Sequence, residues 1–158
     1  RAQFMMKGYY KQDDKTRDLF WHDKEGRLFF KSGDMGRIDE DGFVVLLDRK
    51  KDMIISGGFN VYAADIEVLL LKHPDVVDVA VIGIPSEQWG ESPMALCVRR
   101  EGATADEAGI RDWANGQLSK TQRLVAVEFR RSLPRSTIGK IMKRELREPY
   151  WAGRSAKI

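Results

Sequence analysis

The chain has 158 residues, 42% of them apolar and 32% charged, with a formal net charge of +3. That composition fits a globular protein of one domain, or one domain and part of another, and excludes long disorder. No apolar run reaches the roughly 20 residues that span a bilayer, and the net charge alone is too small to imply nucleic acid.

The opening "RAQFMMKGYY" lacks the apolar centre of a signal peptide and starts without Met, so the chain is expected to be a piece of something longer. "FMMKGYY" predicts a short strand and "DDKTRDLFW" a short helix. "RLFFKSGDMGRIDEDGFVVLLD" reads as strand, turn, strand, with Asp41-Gly42 the hairpin signal between Ile38 and the run Phe43 to Leu47. A second hairpin is expected from Met53–Ser56 and Phe59–Tyr62 around Gly57-Gly58, a pair that permits positive φ. From Ala63 to Lys72 the pattern is helical, with Ile66, Leu69 and Leu70 on one face, and His73-Pro74 ends it, the histidine as a cap.

Val76 to Ile84 is a nearly continuous β-branched run and predicts a buried strand. "MALCVRR" predicts another. Its Cys97, the one cysteine, has no disulfide partner and no metal-ligand spacing, and reads as a small buried residue. A cytoplasmic location fits. Thr104 to Glu107 matches a capping box opening a helix with Ile110, Trp113, Ala114 and Leu118 on one face. Val125 to Arg130 predicts a third strand, Pro134 to Gly139 a loop, and Ile141 to Arg147 a short helix. The fold class is therefore α+β: a small domain with a three-stranded core sheet flanked by helices plus β-hairpins, preceded by a fragment of a larger domain.

From Lys120 onward basic residues dominate: Lys120, Arg123, Arg130, Arg131, Arg135, Lys140, Lys143, Arg144, Arg147, Arg154 and Lys157 face only Glu128, Glu145 and Glu148. Either a solvated helix face or an anionic partner, such as phosphate, explains such a bias. "GK" at Gly139-Lys140 is not the end of a phosphate-binding loop. Pro134 stands where that loop needs Gly, and Ile141 where it needs Ser or Thr.

Three stretches occur in one order: "KSGDMG" (31–36), "DRKKDMIISGG" (48–58) and "LPRSTIGKIMKREL" (133–146). Together they resemble the adenylate-forming family, which comprises acyl-CoA synthetases, luciferases and peptide-synthetase adenylation domains. "GFNVYAADIE", "HPDVVDVAVIGIPSEQWGE" and "GKIMKREL" look most like an AMP-forming acid–CoA ligase. The resemblance implies that residues 1–48 are the end of the large N-terminal, AMP-binding domain. It implies a hinge at 49–52, the mobile C-terminal domain at 53–150, and a tail at 151–158. It also implies ATP, CoA and Mg2+ as cofactors, with the Mg2+ site outside this chain. The implied partners are a small carboxylic acid, fatty or aryl, and the protein's own N-terminal domain.

Site residues follow from the same resemblance. Asp34 is similar to the aspartate that accepts hydrogen bonds from the ribose hydroxyls of AMP, a task that suits an ionised acceptor. Arg49 resembles the arginine on the same ribose. Lys51 falls at the hinge position, where the family has Asp or Lys. Ser56, Gly57 and Gly58 fall where the domain approaches the pantetheine arm of CoA. Lys140 resembles the catalytic lysine that bridges carboxylate and phosphate oxygens during adenylation. No metal ligand is assigned. Phe59 and Ala63 depart from the Glu and Pro common in the family. An adenylation domain that loads a carrier protein is the alternative within the class, and a basic nucleic-acid-binding or protein-binding module the alternative outside it. No aromatic-stacking or recognition-helix pattern accompanies the basic residues, so nucleic acid is not expected as a partner.

Overall fold

The structure, a computed structural model, describes residues 5–154. Phe4 of the first strand candidate and the end of the tail, with Lys157, lie outside the described residues. Met5 to Tyr10 form no strand, and the first element is helix α1 (Asp13–Leu19), where Asp13 and Asp14 occupy the first turn and favour the helix dipole. Two antiparallel hairpins follow: β1 (Phe20–His22) with β2 (Leu28–Phe30), and β3 (Asp34–Ile38) with β4 (Val44–Arg49). The turn between β3 and β4 contains Gly42 at φ +86°, and Asp39 accepts the Phe43 amide through its side chain. This is the predicted Asp-Gly hairpin.

Hairpin β5 (Ile54–Ser56) and β6 (Phe59–Val61) leads into α2 (Ala63–Leu70), then β7 (Val76–Ser86), β8 (Gly90–Arg99), α3 (Glu107–Asn115), β9 (Ala126–Phe129) and α4 (Lys143–Trp151). Strands β7, β8 and β9 form the expected core, with β8 antiparallel to β7 and parallel to β9. The hairpin joins the same sheet through the single pair Ser56 and Gly90, which makes five strands in all.

Side chains alternate across that sheet. Val79 and Val81 of β7 and Ala95 and Cys97 of β8 pack with Ile66 and Leu70 of α2 and Ile110 and Ala114 of α3. Ala80, Ile82, Met94 and Leu96 point the other way, onto Leu133 and Leu146 of α4. Both faces are covered, so β7 reads as a continuous apolar run rather than an alternating one. Cys97 is fully buried as expected, and burial pushes its thiol up to about 12.

Three local expectations are corrected. The capping box at Thr104–Glu107 does not form. Asp106 caps α3, its side chain accepting from the Gly109 amide, while the Glu107 carboxylate accepts the Phe129 amide at 2.9 Å. The last helix starts at Lys143, not Ile141, because Ile141 is held in a β-bridge to Arg135; it runs on to Trp151, whose indole donates to the Gly83 carbonyl. His73 does not bond a helix carbonyl through its ring. Nδ1 accepts the Asp75 amide at 3.1 Å and the imidazole packs edge-on against Trp113.

Candidate functional site

Lys140 follows Gly139, which sits at φ +79°, a left-handed conformation that glycine adopts without strain. The predicted loop is a cross-linked turn. The Gly139 amide donates to the Ser136 carbonyl at 2.8 Å, the Ser136 amide to the Lys140 carbonyl at 2.8 Å, and the Lys140 amide to the Ser136 hydroxyl at 3.2 Å. Arg135 ties the turn down further, donating to the Gly139 carbonyl at 2.8 Å and pairing with Asp78 at 2.6 Å. Lys140 therefore sits at the end of a turn held by Ser136 and Arg135, not of a free loop.

Asp34 opens β3 and Arg49 closes β4, and the antiparallel register sets the two directly opposite. Arg49 Nε lies 3.9 Å from Asp34 Oδ1, with both side chains substantially exposed. Such a pair adds little stability, but it points a carboxylate and a guanidinium to one spot. Lys51 lies just beyond, in a turn where the Asp52 and Met53 amides both donate to the Arg49 carbonyl. Arg49, Lys51 and Lys140 all line one cleft of about 700 Å³, which lies between the 49–53 turn and the start of α4. Sequence reasoning proposed these three residues from stretches nearly 90 positions apart, and the fold brings them together.

The glycine tip stands elsewhere. Gly57 (φ +59°) and Gly58 (φ +82°) turn the β5–β6 hairpin and are not among the cleft-lining residues. A Cβ on Gly57 would meet the Trp89 ring at 2.5 Å, whereas one on Gly58 would meet nothing within 4 Å. Gly57 is therefore small to seat an indole of this same chain. Ser56 is largely buried in β5.

The pattern hid several residues around the cleft. Lys143 pairs with Glu67 at 2.7 Å, and Glu67 also accepts the Val81 amide at 2.7 Å. Burial pushes the Glu67 carboxyl above its ordinary value, and the Lys143 charge opposes that push. Arg147 reaches back to the turn, donating to the Lys51 carbonyl and to Asp52 Oδ1, each at 2.9 Å. Asp48 accepts the Ala64 amide at the start of α2. The one available signal was the "KREL" helix itself, whose spacing puts Lys143 and Arg147 on one face. Among the described residues no three His, Cys, Asp or Glu side chains gather as a metal site. No described helix is long and apolar enough to cross a membrane.

Known proteins resemble the chain as a whole. The family described as AMP-binding enzyme C-terminal domain matches residues 65–140. A 2-succinylbenzoate–CoA ligase from Geobacillus kaustophilus is 41% identical over 89% of this chain, which spans 28% of that protein. The long-chain-fatty-acid–CoA ligase FadD13 from Mycobacterium tuberculosis is 38% identical over 96% of the chain, which spans 29% of it. The crystal structure of ATP-bound MatB from Rhodopseudomonas palustris superposes with a TM-score of 0.80 at 44% identity, covering 91% of this chain and 28% of that one. The apo structure of MatB, over the same coverage, gives 0.65.

Proposed function

Residues 65–140 belong to the AMP-binding enzyme C-terminal domain family, and we propose that the chain is the C-terminal part of an AMP-forming acid–CoA ligase. A carboxylate oxygen attacks the α-phosphorus of ATP and pyrophosphate leaves, giving an acyl-adenylate. The CoA thiol then attacks the acyl carbon, losing its proton, and AMP departs with the carboxyl oxygen. The observation that carries the reading is the convergence of Arg49, Lys51 and Lys140 on one cleft, with Asp34 beside Arg49 and the glycine tip apart from it.

In the first step Asp34 and Arg49 hold the ribose, and Lys140 faces the oxygens on which negative charge redistributes, where an aimed cation stabilises the transition state. Magnesium would be held by residues outside this chain. In the second step the domain turns about 49–52 and brings the tip at Gly57 and Gly58 to the same centre, so that different faces serve the two steps. The acid-binding pocket lies in the N-terminal domain. A CoA thiol is favoured over a carrier protein because the two curated relatives above are both named as CoA ligases. A cytoplasmic location belongs to the same reading.

The test separates the two faces in the full-length enzyme. Lys140→Ala should slow adenylate formation by about 10²–10³, the usual loss for one aimed donor in a closed site. Thioester formation from supplied acyl-adenylate should stay nearly unchanged. Gly58→Leu should do the reverse, and Gly58→Ala, which carries the same φ strain without the bulk, serves as its control. Equal impairment of both steps by Lys140→Ala would overturn the assignment.

A further inference from the structure

We propose that Arg135 is a positioning residue for Lys140: by bridging the Gly139 carbonyl and the Asp78 carboxylate, it fixes to the sheet the peptide plane that carries the lysine. The inference rests on the ligase reading for its functional half and on geometry for the rest. Gly139 is the loose point of the turn. At φ +79° it holds a conformation open to glycine, and a residue without Cβ leaves the peptide unit that follows it free to rotate. That unit is planar, so the Gly139 carbonyl and the Lys140 amide move as one body. Both of its edges are held. Arg135 donates to the carbonyl at 2.8 Å, and the amide donates to the Ser136 hydroxyl at 3.2 Å.

The bonds to Ser136 close the turn on itself but refer it to nothing outside. The guanidinium that holds Gly139 also reaches Asp78 of β7 at 2.6 Å. Period two along β7 sets Asp78 on the face of Ala80 and Ile82, the face onto which Leu133 and Leu146 pack. β7 pairs with β8 along its length, so Asp78 is a fixed reference. An arginine suits the task because its planar fork serves two acceptors at once. The base of the turn is closed without it, by the Arg135–Ile141 backbone bridge and by the Met142 amide on the Pro134 carbonyl. The ion pair, its side chains 45% and 30% exposed, therefore adds little stability. What it adds is the direction in which Lys140 leaves the turn. Arg135 is not among the cleft-lining residues, so it acts on the reaction only through Lys140, which is.

In the full-length enzyme Arg135→Ala should slow adenylate formation by about 10-fold. That is less than the ~10² a misplacement of about 1 Å can cost, because the rotatable lysine stem absorbs part of the error. Thioester formation from supplied acyl-adenylate should keep its rate. Arg135→Lys, able to reach one acceptor at a time, should recover part of the loss. Asp78→Ala cuts the strap at its other end and should slow the same step by a comparable factor. The deciding measurement repeats Arg135→Ala in a Lys140→Ala background, where it should slow adenylation no further. A second full loss there would show that Arg135 works by another route and would overturn the proposal. So would equal slowing of both steps by Arg135→Ala, or no slowing of adenylation by Asp78→Ala.

Amide exchange in the same enzyme reads the geometry without any reaction. The Gly139 and Lys140 amides both bond Ser136, so they report the turn directly. Arg135→Ala should speed their exchange by about 10-fold, the loss expected for a charge-assisted bond. The amides of Ala95 and Leu96 in the sheet should keep their rates. Unchanged exchange at Gly139 and Lys140 would overturn the clamp. A wild-type enzyme that ligates no acid would instead sink the ligase reading, and exchange would still show whether Arg135 holds the plane before Lys140.

Discussion

Two carboxylates with opposite environments make the chain's response to acid predictable. Asp75 accepts the Ala105 amide at 2.8 Å and the Thr104 amide at 3.1 Å, and these bonds, Ala105 foremost, hold its carboxyl below the ordinary 3.8. A depressed folded value contributes stability above the unfolded one that disappears as pH falls through the folded one. Asp75→Asn should therefore lose less stability than wild type when urea midpoints at neutral pH and well below 3.8 are compared. An equal loss would remove Asp75 from the acid limb. Glu67 is raised by burial, so its contribution runs the other way, being greatest below 4.5 and fading as pH climbs through the raised value. Comparison with Glu67→Gln over the same interval should show the opposite sign. At this scale the sequence was legible where partners sit in local register, as with Asp34 and Arg49. It was not where a side chain crosses the fold, as when Glu107 leaves its expected box for Phe129 some twenty residues on.

Elements were more legible than residues, because burial imposes a period. The β5–β6 hairpin, α2, β7 and β8 follow their patterns, and the continuous run of β7 signals a strand covered on both faces. The misplaced start of α4 has a tertiary cause: the Arg135–Ile141 bridge takes the residue that local pattern gave to the helix. The hairpin tip joins legible and hidden parts. Its two glycines look equivalent in sequence, and both have positive φ, yet only Gly57 lies under Trp89. Both Gly→Ala variants carry backbone strain. Gly57→Ala should be the more destabilising by about 1 kcal/mol, an overpacking penalty softened because Trp89 is partly exposed. In a Trp89→Ala background that excess should vanish, as a double-mutant cycle on urea midpoints would show. If it persists, the Trp89 contact is not what distinguishes the two glycines.

Across the whole molecule, the proposed two-step function turns on residues 49–52, which join the β3–β4 hairpin to the β5–β6 hairpin. The sequence marked Lys51 as the hinge, and its charge told nothing about which arrangement the chain holds. The hydrogen bonds do. Arg49 accepts from Met53 as well as Asp52, so residues 50–52 form one helical turn. Lys51 donates no backbone bond in that turn among the described contacts, and a proline there would forfeit none. It would, however, push the preceding Lys50 out of the helical region, since the proline ring clashes with a helical neighbour. Lys51→Pro should therefore unmake the arrangement seen here instead of freezing it. In the full-length enzyme, adenylate formation should fall by on the order of 10–10², given the roughly 3 kcal/mol that a misplaced proline costs. Thioester formation from supplied acyl-adenylate should suffer less. Measuring both half-reactions decides it: if adenylation is spared and the second step lost, the turn at 50–52 tolerates proline and is not the element that distinguishes the two arrangements. Equal loss in both would show that Lys51 does not act as a hinge between them.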